Sequence, residues 1–405
     1  MGNRQRQTES RRDGTNYHDR LMFSRRTQWD LAPNRLTLAH QEALAFGKKI
    51  IDLTISNPTR AGIKYDEAAI LSALSTPHSL DYDPQPKGLR SAREAVSQYY
   101  GSAVDPESLI LTTSTSEGYS FVFRLLCNAG DEILVPKPSY PLFDFLAELQ
   151  DVSLVPYSLV YDHGWQIETH SVENAITSKS RAIILVHPNN PTGSYVSGQE
   201  RQQLNEICDR HKLAVIVDEV FLDYAHGKAQ PTFAANNDTL TFTLSGISKI
   251  SGLPQMKLAW IAVSGPPAEV APAMQRLEVI ADTYLSLNAP VQLATPVLLD
   301  QRKTVQPQLL QRVRANLSEL DRQLTFRKSC SRLEVQGGWY AALRIPVIRS
   351  DEDFAFELLQ RSGVLVHPGH FYDFPGDGYL VLSLITAEEN FRDGVSSALQ
   401  FADSI

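Results

Sequence analysis

AIILVHPNNPTG at residues 182–193 and AVIVDE at residues 214–219 are two apolar runs, and each ends abruptly in polar residues. Residues 198–211, which lie between them, form a longer amphipathic stretch with the spacing of a helix. Apolar runs without polar alternation are typical of strands buried on both faces, and a helix between two such strands favours parallel pairing. This part of the chain therefore predicts two parallel strands joined by a helix.

The same alternation extends on both sides of this stretch. Seven apolar runs are strand candidates: residues 109–113, 132–136, 153–157, 182–187, 214–218, 240–244 and 257–263. Residues 271 to about 325 have the pattern of one long helix, and short strands and helices alternate again from residue 331. We expect an α/β fold, with a mostly parallel seven-stranded sheet between helices in a large domain and a smaller α+β domain after it.

Composition limits the class of protein. The chain has 405 residues, of which 42% are hydrophobic and 21% charged, which is enough for two domains or for one large domain with a smaller one. The formal net charge of −8 argues against a nucleic-acid-binding surface. No apolar run approaches the length of a membrane span. We therefore expect a globular protein that binds neither nucleic acid nor membrane.

The cysteines and the N-terminus indicate the cellular setting. Cys127, Cys208 and Cys330 are widely spaced, with neither metal-ligand spacing nor a disulfide pattern, as is typical of free thiols in a reducing cytosol. Residues 1–19 are polar, contain four arginines and lack the apolar segment of a signal peptide. We expect a solvated tail, a cytoplasmic location and no metal centre.

Polar residues follow several strand candidates at the ends where open parallel sheets bind ligands. Residues 112–116 are five consecutive hydroxyl side chains, and a helix follows them. A helix N-cap needs only one such residue, so the run allows an anion site at the helix N-terminus, but taken alone it fits an ordinary N-cap better. Asn190 lies between a strand and Pro191, which favours a side chain aimed at a ligand over a plain loop.

Asp218 and Glu219 allow two interpretations, because buried acids are costly without a cation. One is a metal-binding pair in a nucleoside-triphosphatase, which needs a glycine-rich loop ending in Gly-Lys-Ser/Thr. The Gly-Lys pairs at 47–48 and 227–228 do not fit that loop, and no G-x-G-x-x-G motif is present. The other is a carboxylate paired with a protonated ring nitrogen of a cofactor. Lys249, in a loop of small residues after another buried run, is expected at the same edge of the sheet.

Three motifs occur in a fixed order: NPTG at 190–193, Asp218 after an apolar run, and SGISK at 245–249. Together they resemble the class I/II aminotransferases of the pyridoxal 5′-phosphate (PLP) fold type I, the aspartate aminotransferase superfamily. The similarity runs from about residue 52 to the C-terminus. It implies an enzyme that uses PLP to move an amino group between an amino acid and a 2-oxo acid, and that works as a homodimer.

The resemblance also implies roles for individual residues. Lys249 matches the catalytic lysine that binds the cofactor as a Schiff base. Asp218 matches the carboxylate that pairs with the pyridinium nitrogen, and Asn190 matches the amide that hydrogen-bonds the ring hydroxyl. Tyr140, in Pro-Ser-Tyr, matches the aromatic residue that stacks on the cofactor ring.

The phosphate of the cofactor has its own matching set. Ser114, Thr115 and Ser116 match the loop that cradles it, and Ser248 is a further candidate. Tyr82 matches the tyrosine that reaches the phosphate in the neighbouring subunit, which is the basis for expecting shared active sites.

The resemblance implies a division of the chain into segments. We expect an N-terminal tail or arm at residues 1–35, an N-terminal part of the small domain at 36–75, a large PLP-binding domain at 76–290, and the C-terminal small domain at 291–405. In this arrangement the small domain combines N- and C-terminal segments.

Two positions that serve the cofactor depart from the family pattern. Lys257 occupies the place of an arginine that usually clamps the phosphate, so the charge is kept but the forked geometry is lost. Phe221 replaces a tyrosine three residues after the aspartate, so the ring hydroxyl of the cofactor loses one hydrogen-bond donor.

The largest departure concerns the substrate. Val381, in Gly-Tyr-Leu-Val-Leu-Ser, takes the place of the arginine that usually grips the substrate α-carboxylate. Arg60, in a turn that matches the loop bordering the substrate, is our candidate replacement, although a solvent-facing arginine is an equal alternative. His367 and His370 are weaker candidates near the same entrance.

The missing arginine keeps a second chemistry open, namely a PLP-dependent lyase or decarboxylase on the same fold. A non-catalytic PLP-binding regulator is a remote alternative, since it usually carries a DNA-binding domain and residues 1–35 are too short for a winged helix. An aminotransferase is the leading prediction.

Overall fold

The computed structural model describes residues 22–404, so the tail predicted for residues 1–19 lies outside the described residues. The strands are β1 (Ile51–Asp52), β2 (Leu109–Thr112), β3 (Glu132–Lys137), β4 (Ser153–Tyr161), β5 (Trp165–Ile167), β6 (Ser180–Val186), β7 (Ala214–Asp218), β8 (Thr241–Gly246), β9 (Ala259–Ser264), β10 (Ser331–Arg332), β11 (Tyr340–Arg344), β12 (Val364–Leu365), β13 (His367–Pro368) and β14 (Tyr379–Ser383). The helices are α1 (Arg35–Ala45), α2 (Glu67–Leu74), α3 (Arg90–Tyr99), α4 (Thr115–Leu126), α5 (Phe143–Glu148), α6 (Thr169–Ala175), α7 (Gly198–His211), α8 (Ile247–Ile250), α9 (Pro267–Tyr284), α10 (Ala289–Asp300), α11 (Arg302–Leu324), α12 (Asp351–Ser362) and α13 (Glu388–Asp403). Within this part of the chain, no helix combines the length and the apolar character needed to cross a membrane.

Eight strands form the large sheet, in the order β2-β9-β8-β7-β6-β3-β4-β5. The pairs β3–β4, β3–β6, β6–β7 and β7–β8 are parallel, whereas β9 is antiparallel to both of its neighbours. All seven predicted strands are present, and the eighth, β5, is a short strand antiparallel to β4. The prediction of an α/β fold with a mostly parallel sheet is confirmed.

The apolar run that forms β6 is buried on both faces, as its composition predicts, whereas β4 is largely exposed or half-buried. Along β6, Ala182 and Ile184 belong to one buried apolar cluster, whereas Ile183 and Leu185 belong to another. Successive side chains of a strand point to opposite faces of the sheet, so each face of β6 contributes to a different core. This arrangement leaves the ends of the strand as the places where polar side chains gather.

A second, smaller sheet contains β10, β11, β14 and β13 in that order, and all of its pairs are antiparallel. The N-terminal strand β1 pairs in parallel with β12, through Ile51 with Val364 and Asp52 with Leu365. N- and C-terminal segments therefore meet in the smaller α+β part of the molecule. The domain boundaries at residues 35, 75 and 290 stay predictions.

The single long helix expected from residue 271 to about 325 is wrong, because three helices occupy this stretch. Leu285 adopts a left-handed conformation, with φ of 47°, and ends α9. The side chain of Asn288 then accepts a hydrogen bond from the Val291 N–H and caps a new helix, α10. Gln301 separates α10 from α11.

The turn after β6 brings the C-terminal segment against the large sheet. Gly193 has φ of +70°, and a Cβ atom there would lie 2.6 Å from the carbonyl oxygen of Gly337. The N–H groups of Gln336 and Gly337 both donate to the Gly193 carbonyl, at 3.2 and 3.0 Å. Trp339 and Tyr340 follow directly, so this close approach positions two aromatic side chains near the carboxyl edge of the sheet.

Candidate active site

The ends of three neighbouring strands converge at one edge of the large sheet. Val186, the last residue of β6, pairs with Asp218, the last residue of β7. The next backbone N–H, from His187, donates to the Asp218 carbonyl at 2.8 Å. The adjacent strand β8 leads directly into α8, which contains Lys249. The structure therefore brings Asp218, Asn190 and Lys249 to the edge that the sequence predicts.

Asp218 is a half-buried acid at the end of β7, and its hydrogen-bond partners are all neutral. The Tyr119 hydroxyl donates to its Oδ2 at 3.2 Å, and the Val220 N–H donates to Oδ1 at 3.1 Å. Burial raises the pKa of Asp218 to about 6, although both hydrogen bonds and the charge of Lys249 oppose this shift. A carboxylate in such a place is suited to a cationic partner that supplies the missing charge.

Lys249 lies among aromatic rings. Its Nζ is 5.1 Å from the centre of the Trp339 ring and 5.5 Å from that of Phe221. Burial lowers the pKa of Lys249 to about 8, while the charge of Asp218 acts in the opposite direction. The Tyr224 hydroxyl donates to the Lys249 carbonyl at 2.7 Å and fixes the backbone of α8. A lysine with a lowered pKa is partly neutral near pH 7 and can act as a nucleophile.

The two asparagines of the NPTG turn have different environments. Asn189 is structural, since its Oδ1 accepts from the Thr192 hydroxyl at 2.9 Å. Asn190 has a buried Oδ1 for which residues 22–404 provide no hydrogen-bond partner. A buried polar atom without a partner is uncommon in folded proteins and indicates a site for a polar ligand.

The predicted phosphate loop forms the N-terminus of α4. Ser114 is the N-cap, and its Oγ accepts from the Glu117 N–H at 3.2 Å. Thr115 and Ser116 occupy the first turn, where backbone N–H groups lack partners within the helix. Glu117 Oε2 accepts from the Thr113 N–H at 2.7 Å, so this carboxylate already has a hydrogen-bond partner. The positive end of the helix therefore presents donors suited to an anion.

Tyr140 lies on the loop between β3 and α5. The side chain is 42% exposed, and partial burial together with the charge of Asp218 raises the pKa of Tyr140. The same loop is attached to the C-terminal segment, because the Ser139 N–H donates to the Tyr372 carbonyl at 2.9 Å.

Three predicted residues are not joined to this cluster. Tyr82, Arg60 and Lys257 are all exposed, and residues 22–404 provide no side-chain hydrogen bond or ion pair for any of them. Ser248 is half-buried beside Lys249. The roles assigned to these four residues stay predictions.

The position of the missing arginine is buried inside the small sheet. Val381 is 1% exposed on β14, where it pairs with Ala342 of β11 and His367 of β13. Burial lowers the pKa of His367 to about 4, and its Nδ1 lies 3.0 Å from the Tyr372 hydroxyl. His370 is turned away to Asp351, with 3.3 Å between Nδ1 and Oδ1.

Sequence patterns missed three aromatic residues of this site. Tyr119 contacts Asp218, Trp339 lies beside Lys249, and Tyr340 lies next to Phe221 with 6.2 Å between ring centres. Tyr119 lies about one helical turn after the hydroxyl run, which is the only local signal for it. Trp339 and Tyr340 follow a glycine pair, and nothing in their spacing indicates proximity to the lysine.

A family model described as aminotransferase class I and II matches residues 48–392. Among curated relatives, the glutamate-pyruvate aminotransferase AlaA of Haemophilus influenzae is 26% identical over 377 residues, which covers 89% of this chain and 93% of the relative. The alanine aminotransferase of Mycobacterium tuberculosis is 27% identical over 361 residues, with 85% and 84% covered.

Solved structures show the same fold. The alanine aminotransferase of Pyrococcus furiosus superposes with a TM-score of 0.83 at 22% identity, covering 91% of this chain and 96% of that one. The aspartate aminotransferase of Thermus thermophilus, in the form of a double mutant, gives 0.82 at 20% identity, with 94% and 99% covered.

Fold, site and family model agree on one class of protein, the PLP-dependent enzymes of fold type I. This chain belongs to the class I and II aminotransferases, and it transfers an amino group between an amino acid and a 2-oxo acid. The residues at the sheet edge fit the cofactor, because Asp218 is a half-buried acid without a cation at hydrogen-bonding distance among the described residues, and Asn190 has a buried oxygen without a partner among them. The leading functional prediction is confirmed.

Proposed function

We propose that Lys249 is the residue to which this aminotransferase attaches PLP, and that Asp218 is the counter-charge of the cofactor ring. The observation that carries this assignment is the placement of both groups at neighbouring strand ends, with both pKa values shifted toward the neutral form. Among the described residues, Asp218 and Lys249 are not within ion-pair distance of each other. Neither is within that distance of any other charged group. A cofactor with a cationic ring nitrogen and a reactive carbonyl satisfies both.

Bound PLP supplies an electron sink for the electron pair left at the substrate α-carbon when its proton is removed. In this proposal Asp218 holds the proton on the ring nitrogen, and Tyr119 holds Asp218 in position. Lys249, as a free amine, takes the proton from the substrate α-carbon and returns it during the reverse half of the reaction. The rings of Trp339 and Phe221 exclude water around Nζ, which keeps the amine partly neutral.

The remaining cofactor contacts follow from the same placement. Asn190 would bind the ring hydroxyl through its amide, whose oxygen has no partner among the described residues, and the ring of Tyr140 would stack on the cofactor. Phe221 provides no hydroxyl, so Asn190 is the main hydrogen-bond partner of the ring hydroxyl in this proposal.

The phosphate is bound at the N-terminus of α4. Ser114, Thr115 and Ser116 provide the backbone and hydroxyl donors, and the helix dipole adds to them. Ser248 adds a hydroxyl from α8, and Lys257 provides the positive charge that the family usually places on an arginine.

Arg60 is our proposal for the group that binds the substrate α-carboxylate. Its turn borders the site, since the Ser56 side chain lies near the Tyr340 hydroxyl and the Ser383 hydroxyl donates to the Ile55 carbonyl. On the other side, Tyr65 donates to the Gly252 carbonyl at 2.7 Å, three residues after the lysine. Among the described residues the guanidinium of Arg60 has no partner, so it is available to an anionic substrate.

We also propose a homodimer in which Tyr82 reaches the phosphate bound by the neighbouring subunit. Tyr82 is 81% exposed, and Leu80 nearby is 90% exposed, so both leave apolar surface for a partner to cover. A cytoplasmic location is supported by Cys127, Cys208 and Cys330, which are all free thiols.

Borohydride reduction of the PLP-loaded enzyme, followed by proteolysis and mass spectrometry, tests the assignment of the lysine. We expect the pyridoxyl label on Lys249 and none on Lys257, which serves as an internal control. A label on any other lysine would contradict the proposal.

A further inference from the structure

The helix that carries Lys249 is too short to fix its own position. α8 has only four residues, Ile247–Ile250, and so forms a single turn. A single turn is marginally stable in water, because fixing its backbone costs more free energy than its few hydrogen bonds contribute. The direction in which the Lys249 side chain leaves the backbone therefore depends on contacts from outside α8.

Two side chains from distant parts of the chain bind the last backbone carbonyls of α8. The Tyr224 hydroxyl donates to the Lys249 carbonyl at 2.7 Å, and Gln306 Nε2 donates to the Ile250 carbonyl at 2.9 Å. The end of a helix leaves such carbonyls without partners of its own. We call Tyr224 and Gln306 the carbonyl clamp, because together they hold the two peptide groups that follow the α-carbon of Lys249.

The amide of Gln306 is itself held in one orientation. Its Nε2 also donates to Asp223 Oδ2 at 2.6 Å, and Asp223 Oδ1 accepts from the Tyr99 hydroxyl at 3.0 Å. Tyr99 is the last residue of α3, and Gln306 lies near the start of α11. A hydrogen bond to a carboxylate is stronger than one between neutral groups. Asp223 therefore fixes the amide so that its nitrogen faces the Ile250 carbonyl.

Tyr224 holds the aromatic neighbour of the lysine as well as its backbone. The ring of Tyr224 is fully buried and lies 5.0 Å from that of Trp339, between ring centres. Its own carbonyl accepts from the Gly338 N–H at 2.9 Å, directly before Trp339. Because the Lys249 Nζ is 5.1 Å from the centre of the Trp339 ring, one residue fixes both the lysine backbone and a ring beside its amine.

We infer that Tyr224 and Gln306 are positioning residues for Lys249, which direct its amine by holding the backbone of α8. The inference rests on the proposed function, because that proposal assigns PLP attachment and proton transfer to Lys249. A shift of the backbone at Lys249 is carried along its side chain to Nζ, and a misplacement of about 1 Å is enough to slow a reaction strongly. Loss of either donor should therefore slow the steps in which Lys249 takes part and leave substrate binding unchanged.

Tyr224→Phe and Gln306→Met each remove one donor and nearly keep the size of the side chain. In Tyr224→Phe the Lys249 carbonyl keeps the Gly252 N–H as a donor, at 3.2 Å, so it is not left without a partner. We expect kcat of the PLP-loaded enzyme to fall by about tenfold in each variant, with KM for the amino acid within about twofold of wild type.

The apoprotein provides a second measurement that does not depend on turnover. PLP is added to the apoprotein, the absorbance of the bound cofactor is followed with time, and borohydride reduction with mass spectrometry then identifies the labelled lysine. We expect attachment to Lys249 to be slower by about fivefold or more in both variants, because the amine reaches the carbonyl of PLP in the correct geometry less often.

Tyr157→Phe and Gln323→Met are matched controls away from α8. The Tyr157 hydroxyl donates to the Ile184 carbonyl at 2.8 Å, and Gln323, also on α11, donates to the Arg392 carbonyl at 2.9 Å. Each control loses a hydrogen bond to a backbone carbonyl, so urea unfolding should show a loss of stability similar to that of its matched variant. We expect kcat and the attachment rate of both controls to stay within about twofold of wild type.

Wild-type values of kcat and of the attachment rate in Tyr224→Phe and Gln306→Met would overturn the inference. Equal slowing in the controls, or a rise in KM with kcat unchanged, would overturn it as well. If one of the two variants fails to fold, the other decides by the same measurements. A pyridoxyl label on a lysine other than Lys249 in the wild type would instead contradict the proposed function.

Discussion

The hydroxyl of Tyr119 donates to Oδ2 of Asp218 at 3.2 Å, and this contact ties the N-terminal half of α4 to the end of β7. Tyr119 is 2% exposed, so the hydrogen bond is shielded from water. Because it stabilises the ionised carboxylate, it opposes the effect of burial on the Asp218 pKa. Tyr119 thus links the proposed phosphate-binding helix to the proposed counter-charge of the cofactor ring.

Removing this hydroxyl should weaken PLP binding. In Tyr119→Phe the carboxylate loses a donor, so its pKa rises further and less of the anion is present to pair with the ring nitrogen. We expect the dissociation constant of PLP at pH 7 to increase by about tenfold, as for loss of one hydrogen bond to a charged group. Tyr157→Phe, which removes a buried hydroxyl bonded to the Ile184 carbonyl, is the control. Equal affinities of the two variants would contradict the role of Tyr119.

Asp218 should make the apoprotein less stable at neutral pH. Its folded pKa of about 6 is above the unfolded value, so ionisation favours the unfolded state. The free energy of unfolding of the apoprotein therefore falls as the pH rises from about 4 to 6, and the loss is complete above that pH. We expect Asp218→Asn to raise the free energy of unfolding of the apoprotein at pH 8 by about 2 kcal/mol and to lose this advantage near pH 4.

Urea unfolding of the apoprotein at several pH values measures this difference, with the exposed Asp209→Asn as the control. A variant less stable than wild type at pH 8 would show that Asp218 is not an uncompensated acid. The same Asp218→Asn enzyme should also turn over far more slowly when loaded with PLP, because the ring nitrogen has lost its counter-charge.

Phe221→Tyr should restore a donor to the cofactor. A tyrosine hydroxyl near the ring oxygen of the cofactor stabilises the anionic form of that oxygen. The bound cofactor then loses its titrating proton at a lower pH. We expect the midpoint of the pH-dependent change in the visible absorbance of bound PLP to fall by about one unit relative to wild type. A midpoint that stays in place or rises would place residue 221 out of reach of the ring oxygen.

Arg60→Ala tests the proposed carboxylate contact. We expect KM for the amino acid to rise by about tenfold or more with PLP affinity unchanged, since only the substrate contact is lost. Arg60→Lys should recover part of the loss because it keeps the charge. Arg276→Ala, a change on helix α9, is the control. An unchanged KM for amino acids would exclude Arg60 from substrate binding.

Local patterns predict the fold and the cofactor residues much better than the substrate side. Seven strands of the large sheet follow from apolar runs, whereas β5 has only three residues and gives no such signal. Asp218, Asn190 and Lys249 each lie at or just after the end of an apolar run, and the sheet brings those strand ends to the same edge. Tyr119 lies 99 residues from Asp218, and only folding brings the two together.

The substrate side depends on pairing that a sequence does not reveal. Val381 is recognisable as a departure from the family motif, but its neighbour His367 is identified only by the register of β13 and β14. Trp339 and Tyr340 reach the site because Gly193 permits a close backbone approach more than 140 residues earlier in the chain. Such contacts depend on tertiary packing, which local spacing does not encode.

The most direct test of the account is a single-turnover experiment on the PLP-loaded enzyme and its Lys249→Ala variant. For wild type, we expect an amino acid to convert the visible absorbance of bound PLP to that of pyridoxamine phosphate, and a 2-oxo acid to restore it. The Lys249→Ala enzyme should bind PLP but show neither conversion at a comparable rate, because the group that moves the α-proton is gone. Full conversion by the variant, or release of ammonia in place of pyridoxamine phosphate by the wild type, would contradict the account.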